Sequence, residues 1–181
     1  MPWSLQRFQE TGDPHFVTFS CYRRQPFLRD GAGCASFEGT LERVRVWYSL
    51  TIHGYVIMPE HVHLLVSEPE RRILSTAIQM LKQIVSRRLR RGSKDPFWQS
   101  RYYDRNVNTA REFENALQYI HRNPVKRGLC SQPEDWPWSS FLHHATGLEG
   151  VVEIESGWTA RKRERMGVVP LMKIKLPHPP R

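Results

Sequence analysis

The sequence predicts an α+β fold: a ferredoxin-like split β-α-β core, an antiparallel sheet with helices, and one further helix appended to it. Three observations carry that prediction. Short runs rich in β-branched and aromatic residues alternate with longer runs whose apolar residues recur every three or four positions. The second and third β-rich runs are separated only by a turn at Pro59 and Glu60, which makes them a hairpin, since proline cannot pair in a central ladder. Read in order, the runs give β-α-β-β-α-β-α, and the first six match the split β-α-β arrangement.

Each element has its own signal. "HFVTFSCY" at 15–22 alternates and is β-rich, and "GAG" at 31–33 then punctuates the chain. Phe37, Leu41, Val44 and Tyr48 fall at helical spacing within 34–48. "LTIHGYVI" at 50–57 and the run 61–67 are the arms of the hairpin, closed by Pro69. In 73–90, Leu74, Ile78, Leu81, Val85 and Leu89 form one stripe, with Lys82, Arg87, Arg88, Arg90 and Arg91 largely off it, which is a basic amphipathic helix broken by "RGSKDP". "FWQSRYYDRNV" at 97–107 reads as a fourth strand. Thr109 with Glu112 three positions on is a capping box, so a helix starts there; Pro124 biases Asn123 away from the α region and ends it at about 122. Patterning fades after "WPWSS" at 136–140. Residues 1–145 are therefore expected to form the domain, and 146–181, with "RKRER" at 161–165 and "LPHPPR", a mobile, basic, Pro-containing tail.

Composition narrows the function. The 181 residues suit one domain, and with 39% hydrophobic and 11% aromatic residues the chain can bury a core. No apolar run approaches the roughly 18 residues a membrane span needs, so no membrane partner is expected. "MPWSLQRFQETGDPHF" lacks a secretory h-region. Cys21, Cys34 and Cys130 are scattered and form no CxxC pair, which argues against a disulfide framework or zinc ribbon and for a reducing cytoplasm. The net charge is +9, from 27 Lys and Arg against 18 Asp and Glu, and a surface of that sign attracts polyanions, nucleic acid first.

Two clusters carry chemistry. In "MPEHVHLLV" (58–66), His61 and His63 share one face of a strand, about 6.5 to 7 Å apart by rise. Two imidazoles so placed are either an incomplete metal edge or core histidines satisfied by backbone groups; what favours the edge is the cost of burying several polar nitrogens. In "LQYIHRNPVKRGL" (117–129), Phe113, Ala116, Leu117 and Ile120 make the helix's core stripe. Tyr119 lies on one flank with Asn123 four residues on beside it, and His121 on the other. A phenol and a carboxamide at that spacing reach one ion or phosphate together, or are a boundary tyrosine and a cap.

"VTFSCYRRQPFL", "GYVIMPEHVHLLV", "FWQSRYYDRNV", "YIHRNPVKRGL" and "WPWSS", in that order, resemble the single-tyrosine HUH transposases, and among them the REP-associated tyrosine transposases, from residue 15 to about 142. The resemblance implies an HUH-type ferredoxin-like core with an appended catalytic helix, single-stranded or hairpin DNA as partner, Mg2+ or Mn2+ as cofactor, and a covalent 5′-phosphotyrosine intermediate. By position, His61 and His63 match the two metal-ligating histidines, Tyr119 the nucleophile, and Asn123 the place of a third ligand. Relatives act as monomers or as homodimers, so both states stay open. Lys82, Arg87, Arg88, Arg91, Lys126 and Arg127 are the candidate DNA-phosphate contacts. Trp98, Tyr102 and Tyr103 either stack unpaired bases or belong to sheet and core, with the second reading stronger still for Trp136 and Trp138. Glu60 orients a ligand or serves the turn, and His53 supports the pair or is a plain hairpin residue. The readings that compete with a tyrosine transposase are a non-catalytic ferredoxin-like nucleic-acid binding protein and a metallonuclease that uses water.

Overall fold

The structure is a computed structural model that describes residues 12–70, 72–90, 92 and 94–167. Strands β1 (His15–Ser20), β2 (Thr51–Ile57), β3 (His61–Ser67) and β4 (Tyr103–Asn106) form one antiparallel sheet in the order β2-β3-β1-β4. Helices α1 (Gly31–Tyr48) and α2 (Leu74–Leu89) follow β1 and β3, and α3 (Ala110–Lys126) follows β4. This is the split β-α-β arrangement with its appended helix.

The helical stripes are buried as their spacing requires. Phe37, Leu41, Val44 and Tyr48 of α1 and Leu74, Ile78, Leu81 and Val85 of α2 close over Val17, Phe19, Val62, Leu64 and Val66 on one face of the sheet. On the other face, Phe16, Val56, Met58 and Leu65 meet Ala116 and Ile120 of α3, with Phe113 and Leu117 packed alongside. Asp30 caps α1 by accepting from the Gly33 N–H at 2.5 Å. Thr109 caps α3 by accepting from the Glu112 N–H at 3.1 Å, and the Glu112 carboxylate accepts from the Asn108 N–H at 2.8 Å. Gly54 sits where α3 approaches the sheet closely: a Cβ there would stand 2.5 Å from Leu117 Cδ1.

Three boundaries differ from those expected. The fourth strand pairs continuously only over Tyr103–Asn106; Trp98 meets Cys21 as an isolated bridge. Between Thr18↔Tyr103 and Cys21↔Trp98, β1 advances three residues and its partner five, and that excess breaks the strand. Helix α3 runs through Pro124 to Lys126. Proline there forfeits only the bond to the Ile120 carbonyl, and burial of Ile120, Asn123 and Pro124 outweighs it. Finally, the chain does not leave the domain at 145. That boundary falls inside α4 (Phe141–Thr146), and Val152 and Ile154 beyond it join the main core. "RKRER" belongs to α5 (Gly157–Arg165), where Arg163 donates to Glu155 at 2.6 Å and to Glu153 at 3.1 Å. An expected tail is thus packed as far as it is described, held by Val152 and Ile154 in the core and by the Glu155 N–H on the Ile52 carbonyl at 2.8 Å. "LPHPPR" lies outside the described residues. No helix among the described residues is long and apolar enough to cross a membrane.

Candidate active site

Side chains alternate along β3, so Val62, Leu64 and Val66 enter the layer under α1 and α2, while His61, His63 and Leu65 face α3. The two imidazoles turn their Nε2 atoms toward each other at 3.0 Å. The Asn123 carboxamide nitrogen lies 3.0 Å from His63 Nε2; amide nitrogen and oxygen exchange places by a flip of the group. One helical turn earlier, the Tyr119 ring stands edge-on to His63 with 5.3 Å between centroids. The residues singled out at 61, 63, 119 and 123 therefore come together within one chain. His61, His63 and Asn123 are buried, whereas Tyr119 is 42% exposed.

Both imidazoles are built to be neutral. Burial, the neighbouring His61 and the Arg24 guanidinium push the His63 pKa down to about 3. Burial also pulls His61 down, more than the Glu60 carboxylate beside it pulls up. His61 Nδ1 donates to Glu60 Oε1 at 3.2 Å, which leaves the Nε2 lone pair facing the site. His63 Nδ1 meets Thr18 Oγ1 at 2.6 Å, and the His63 ring stacks on Phe16 at 5.4 Å. Thr18 faces His63 because these two are register partners across β1 and β3. Sequence reasoning passed over Thr18 and Phe16; strand pairing is the signal that finds them, and it is not written in either strand alone.

The donor set fits a divalent ion. Ligands at about 2.1 Å on adjacent octahedral positions lie about 3.0 Å apart, the separation observed for His61–His63 and for Asn123–His63. Two neutral imidazoles and one amide suit a borderline metal with open water positions. Among the described residues no group of three His, Cys, Asp or Glu could hold a metal, so the third protein ligand would be the amide.

The remaining candidates divide. Lys126 Nζ lies 5.3 Å from the Tyr119 ring centroid. Arg127 is taken up by Glu60, whose Oε1 accepts from its guanidinium at 2.5 Å. Lys82, Arg87 and Arg88 lie on α2, across the sheet from Tyr119, where Lys82 donates to the Gln99 carbonyl at 2.9 Å and Arg88 to Thr40 Oγ1 at 3.4 Å. Arg91 lies outside the described residues. Trp98 is a core residue that donates to the Lys82 carbonyl at 2.8 Å, and Tyr102 packs on the same core. Tyr103 is 40% exposed and meets Phe16 edge-on at 6.5 Å, which puts it beside the site. Trp136 donates to the Ile57 carbonyl at 3.0 Å, and the Trp138 carbonyl accepts from the Ile57 N–H at 2.9 Å, so "WPWSS" seals the outer edge of β2. His53 bonds Ser67 Oγ at 2.7 Å and His121 bonds Ser140 Oγ at 2.9 Å; neither touches the imidazole pair.

Residues 9–123 match the family model described as "Transposase IS200 like". A REP-associated tyrosine transposase of Escherichia coli (strain K12) is 31% identical over 105 residues, covering 58% of this chain and 61% of its own length. A protein of Haemophilus influenzae provisionally given the same name is 31% identical over 117 residues, 58% of this chain and 66% of its own. The chain thus spans slightly less than two thirds of these curated relatives. A REP-associated tyrosine transposase solved bound to a REP hairpin superposes with a TM-score of 0.70, covering 84% of this chain and 92% of that one at 24% identity, a likeness of fold.

Proposed function

The chain belongs to the IS200-like transposase family, and on that premise we propose that it nicks and rejoins single-stranded DNA at hairpin or palindromic repeats through a 5′-phosphotyrosine on Tyr119, with Mg2+ or Mn2+ held by His61, His63 and Asn123. The observation that carries the reading is that His61 and Asn123 each stand 3.0 Å from His63 Nε2, beside the exposed Tyr119. When bound, the ion supplies Lewis-acid polarisation of the scissile phosphate.

The chain's own residues do the rest. Glu60 and Thr18 hold the imidazoles so that Nε2 faces the site, and neutral rings leave those lone pairs free to coordinate. The Tyr119 oxygen, its proton passed to solvent, attacks the phosphorus. The bond from phosphorus to the 3′ oxygen breaks, that oxygen takes up a proton, and the 5′ phosphate remains esterified to the tyrosine. A 3′ hydroxyl then reverses the step and joins strands, since the ester preserves the bond energy. Lys126, beside the phenol ring, sets a positive charge where the phosphate must lie. Tyr103 and Phe16 offer an aromatic ledge for an unpaired base next to it. In this reading the phenol and the imidazoles are supplied by one chain, as the Tyr119–His63 ring contact supports. Lys82, Arg87 and Arg88, on the far side of the sheet, serve DNA distant from the reacting phosphate.

A labelled single-stranded hairpin incubated with the protein and Mn2+ tests this. The expected product is a denaturation-resistant protein–DNA band, absent with Tyr119→Phe. Free cleaved DNA with an intact Tyr119→Phe reaction would assign the chemistry to water instead, and bound but unaltered DNA would make the protein a binding module.

A further inference from the structure

One oxygen joins the two halves of the site. Glu60 Oε1 accepts from His61 Nδ1 at 3.2 Å and from the Arg127 guanidinium at 2.5 Å. Glu60 stands in the β2–β3 turn, which is fixed to the chain beyond β1: the Glu60 carbonyl accepts from the Cys21 N–H at 2.9 Å, and the Pro59 carbonyl from the Leu28 N–H at 2.9 Å. Arg127 is the C-cap of α3, and Gly128, at φ +67°, ends that helix with its N–H on the Val125 carbonyl. The carboxylate therefore ties an imidazole of the sheet to the end of the helix that carries Tyr119 and Asn123.

We propose that Glu60 and Arg127 form a latch that sets the His61 ring and holds α3 in register with the imidazole pair. Arg127 is then a positioning residue acting through Glu60, and not a grip on the DNA backbone. The assignment of Glu60 follows from chemistry: a carboxylate only accepts, so the proton on its side of the His61 ring sits on Nδ1 and the lone pair on Nε2. The assignment of Arg127 follows from placement. Its side chain is 51% exposed but aimed at a carboxylate that is only 13% exposed, so the contact adds little stability as an exposed ion pair and acts mainly on geometry. The proposal rests on the reading of His61 and His63 as ion ligands, and the experiment separates the two.

The full chain is compared with Arg127→Gln, Arg127→Lys and Glu60→Gln in three measurements: the His61 ring nitrogen shifts without metal, Mn2+ affinity by calorimetry without DNA, and the salt dependence of oligonucleotide binding without metal. Arg127→Gln and Glu60→Gln are expected to move His61 away from a pure Nδ1–H tautomer and to weaken Mn2+ binding on the order of tenfold. Arg127→Lys keeps both near the parent values, and the salt slope of Arg127→Gln is unchanged. The latch is overturned if tautomer and Mn2+ affinity ignore both positions, or if Arg127→Gln leaves Mn2+ binding intact and lowers the salt slope by about one, the mark of a lost phosphate contact. A parent protein that binds no Mn2+ while its His61 tautomer still answers to Arg127 refutes the ion reading and upholds the latch.

Discussion

Along β3, the two faces of one strand do different work. Val62, Leu64 and Val66 are fully buried under α1 and α2, among aliphatic and aromatic side chains. His61 and His63, their immediate neighbours in sequence, are nearly as buried, at 4% and 5% exposure, yet they face Thr18, Glu60 and Asn123. Both faces exclude water, but only the first is apolar. A buried polar cluster beside an exposed phenol suits the proposed reaction at a phosphodiester, and the closed apolar face is what holds it still. The contrast also sorts the cations: Lys126 belongs to the polar side, and Arg87 and Arg88 to the outside of the closed one.

Substitutions on the two faces should therefore fail in opposite ways. Leu64→Ala is expected to cost about 2 to 5 kcal/mol of stability, read by denaturant unfolding, as a cavity in a packed core does, while the protein that remains folded still binds Mn2+. His63→Ala is expected to lose Mn2+ binding altogether with a smaller loss of stability, because it removes a buried polar ring along with its contacts. If His63→Ala proved as destabilising as Leu64→Ala and Mn2+ binding survived, the polar face would be core like the other.

Acid sharpens the same contrast. The folded pKa values of His63 and His121 lie at about 3, held down by burial, against 6.5 for the free group. The unfolded chain therefore binds more protons, and stability should fall as pH drops from 6.5 toward 3, at up to about 1.4 kcal/mol per pH unit for each such histidine. His15 acts with the opposite sign. Its pKa is raised despite burial, because Asp104 and Glu68 flank it, so its contribution is present below 6.5 and lost as pH rises. The buried, lowered histidines outnumber it. Unfolding free energies at pH 7 and pH 5 should show a net loss in acid that is shallower in His63→Ala; a gain in acid would reverse the assignment. The smallest effect belongs to α2. Arg87→Ala with Arg88→Ala should leave the rate of covalent adduct formation at saturating DNA within about a factor of two, since both lie on α2, across the sheet from Tyr119. A loss comparable to that of Lys126→Ala would bring the DNA strand onto the wrong face.

How far this was legible in the sequence follows the range of each interaction. Helical stripes such as Phe37–Leu41–Val44 and the hairpin around Pro59 are local, and they are in the structure where their spacing puts them. Strand alternation, helical spacing and resemblance single out His61, His63, Tyr119 and Asn123, which the fold brings side by side. Thr18 was not, because only the β1–β3 register sets it opposite His63. The Arg127–Glu60 contact is not legible either, because the two partners lie 67 positions apart in the chain. Pro124 misled about the end of α3, and Val152 and Ile154 about the end of the domain, where tertiary burial overrode local preference.

The most direct measurement is pulsed electron paramagnetic resonance of Mn2+ on the full chain with a hairpin oligonucleotide whose scissile linkage resists cleavage. The ion should show nitrogen couplings from two imidazoles together with a phosphorus coupling from the DNA, and His63→Ala should abolish the imidazole couplings together with the bound ion. A Mn2+ spectrum with phosphorus but no imidazole nitrogen would contradict the account.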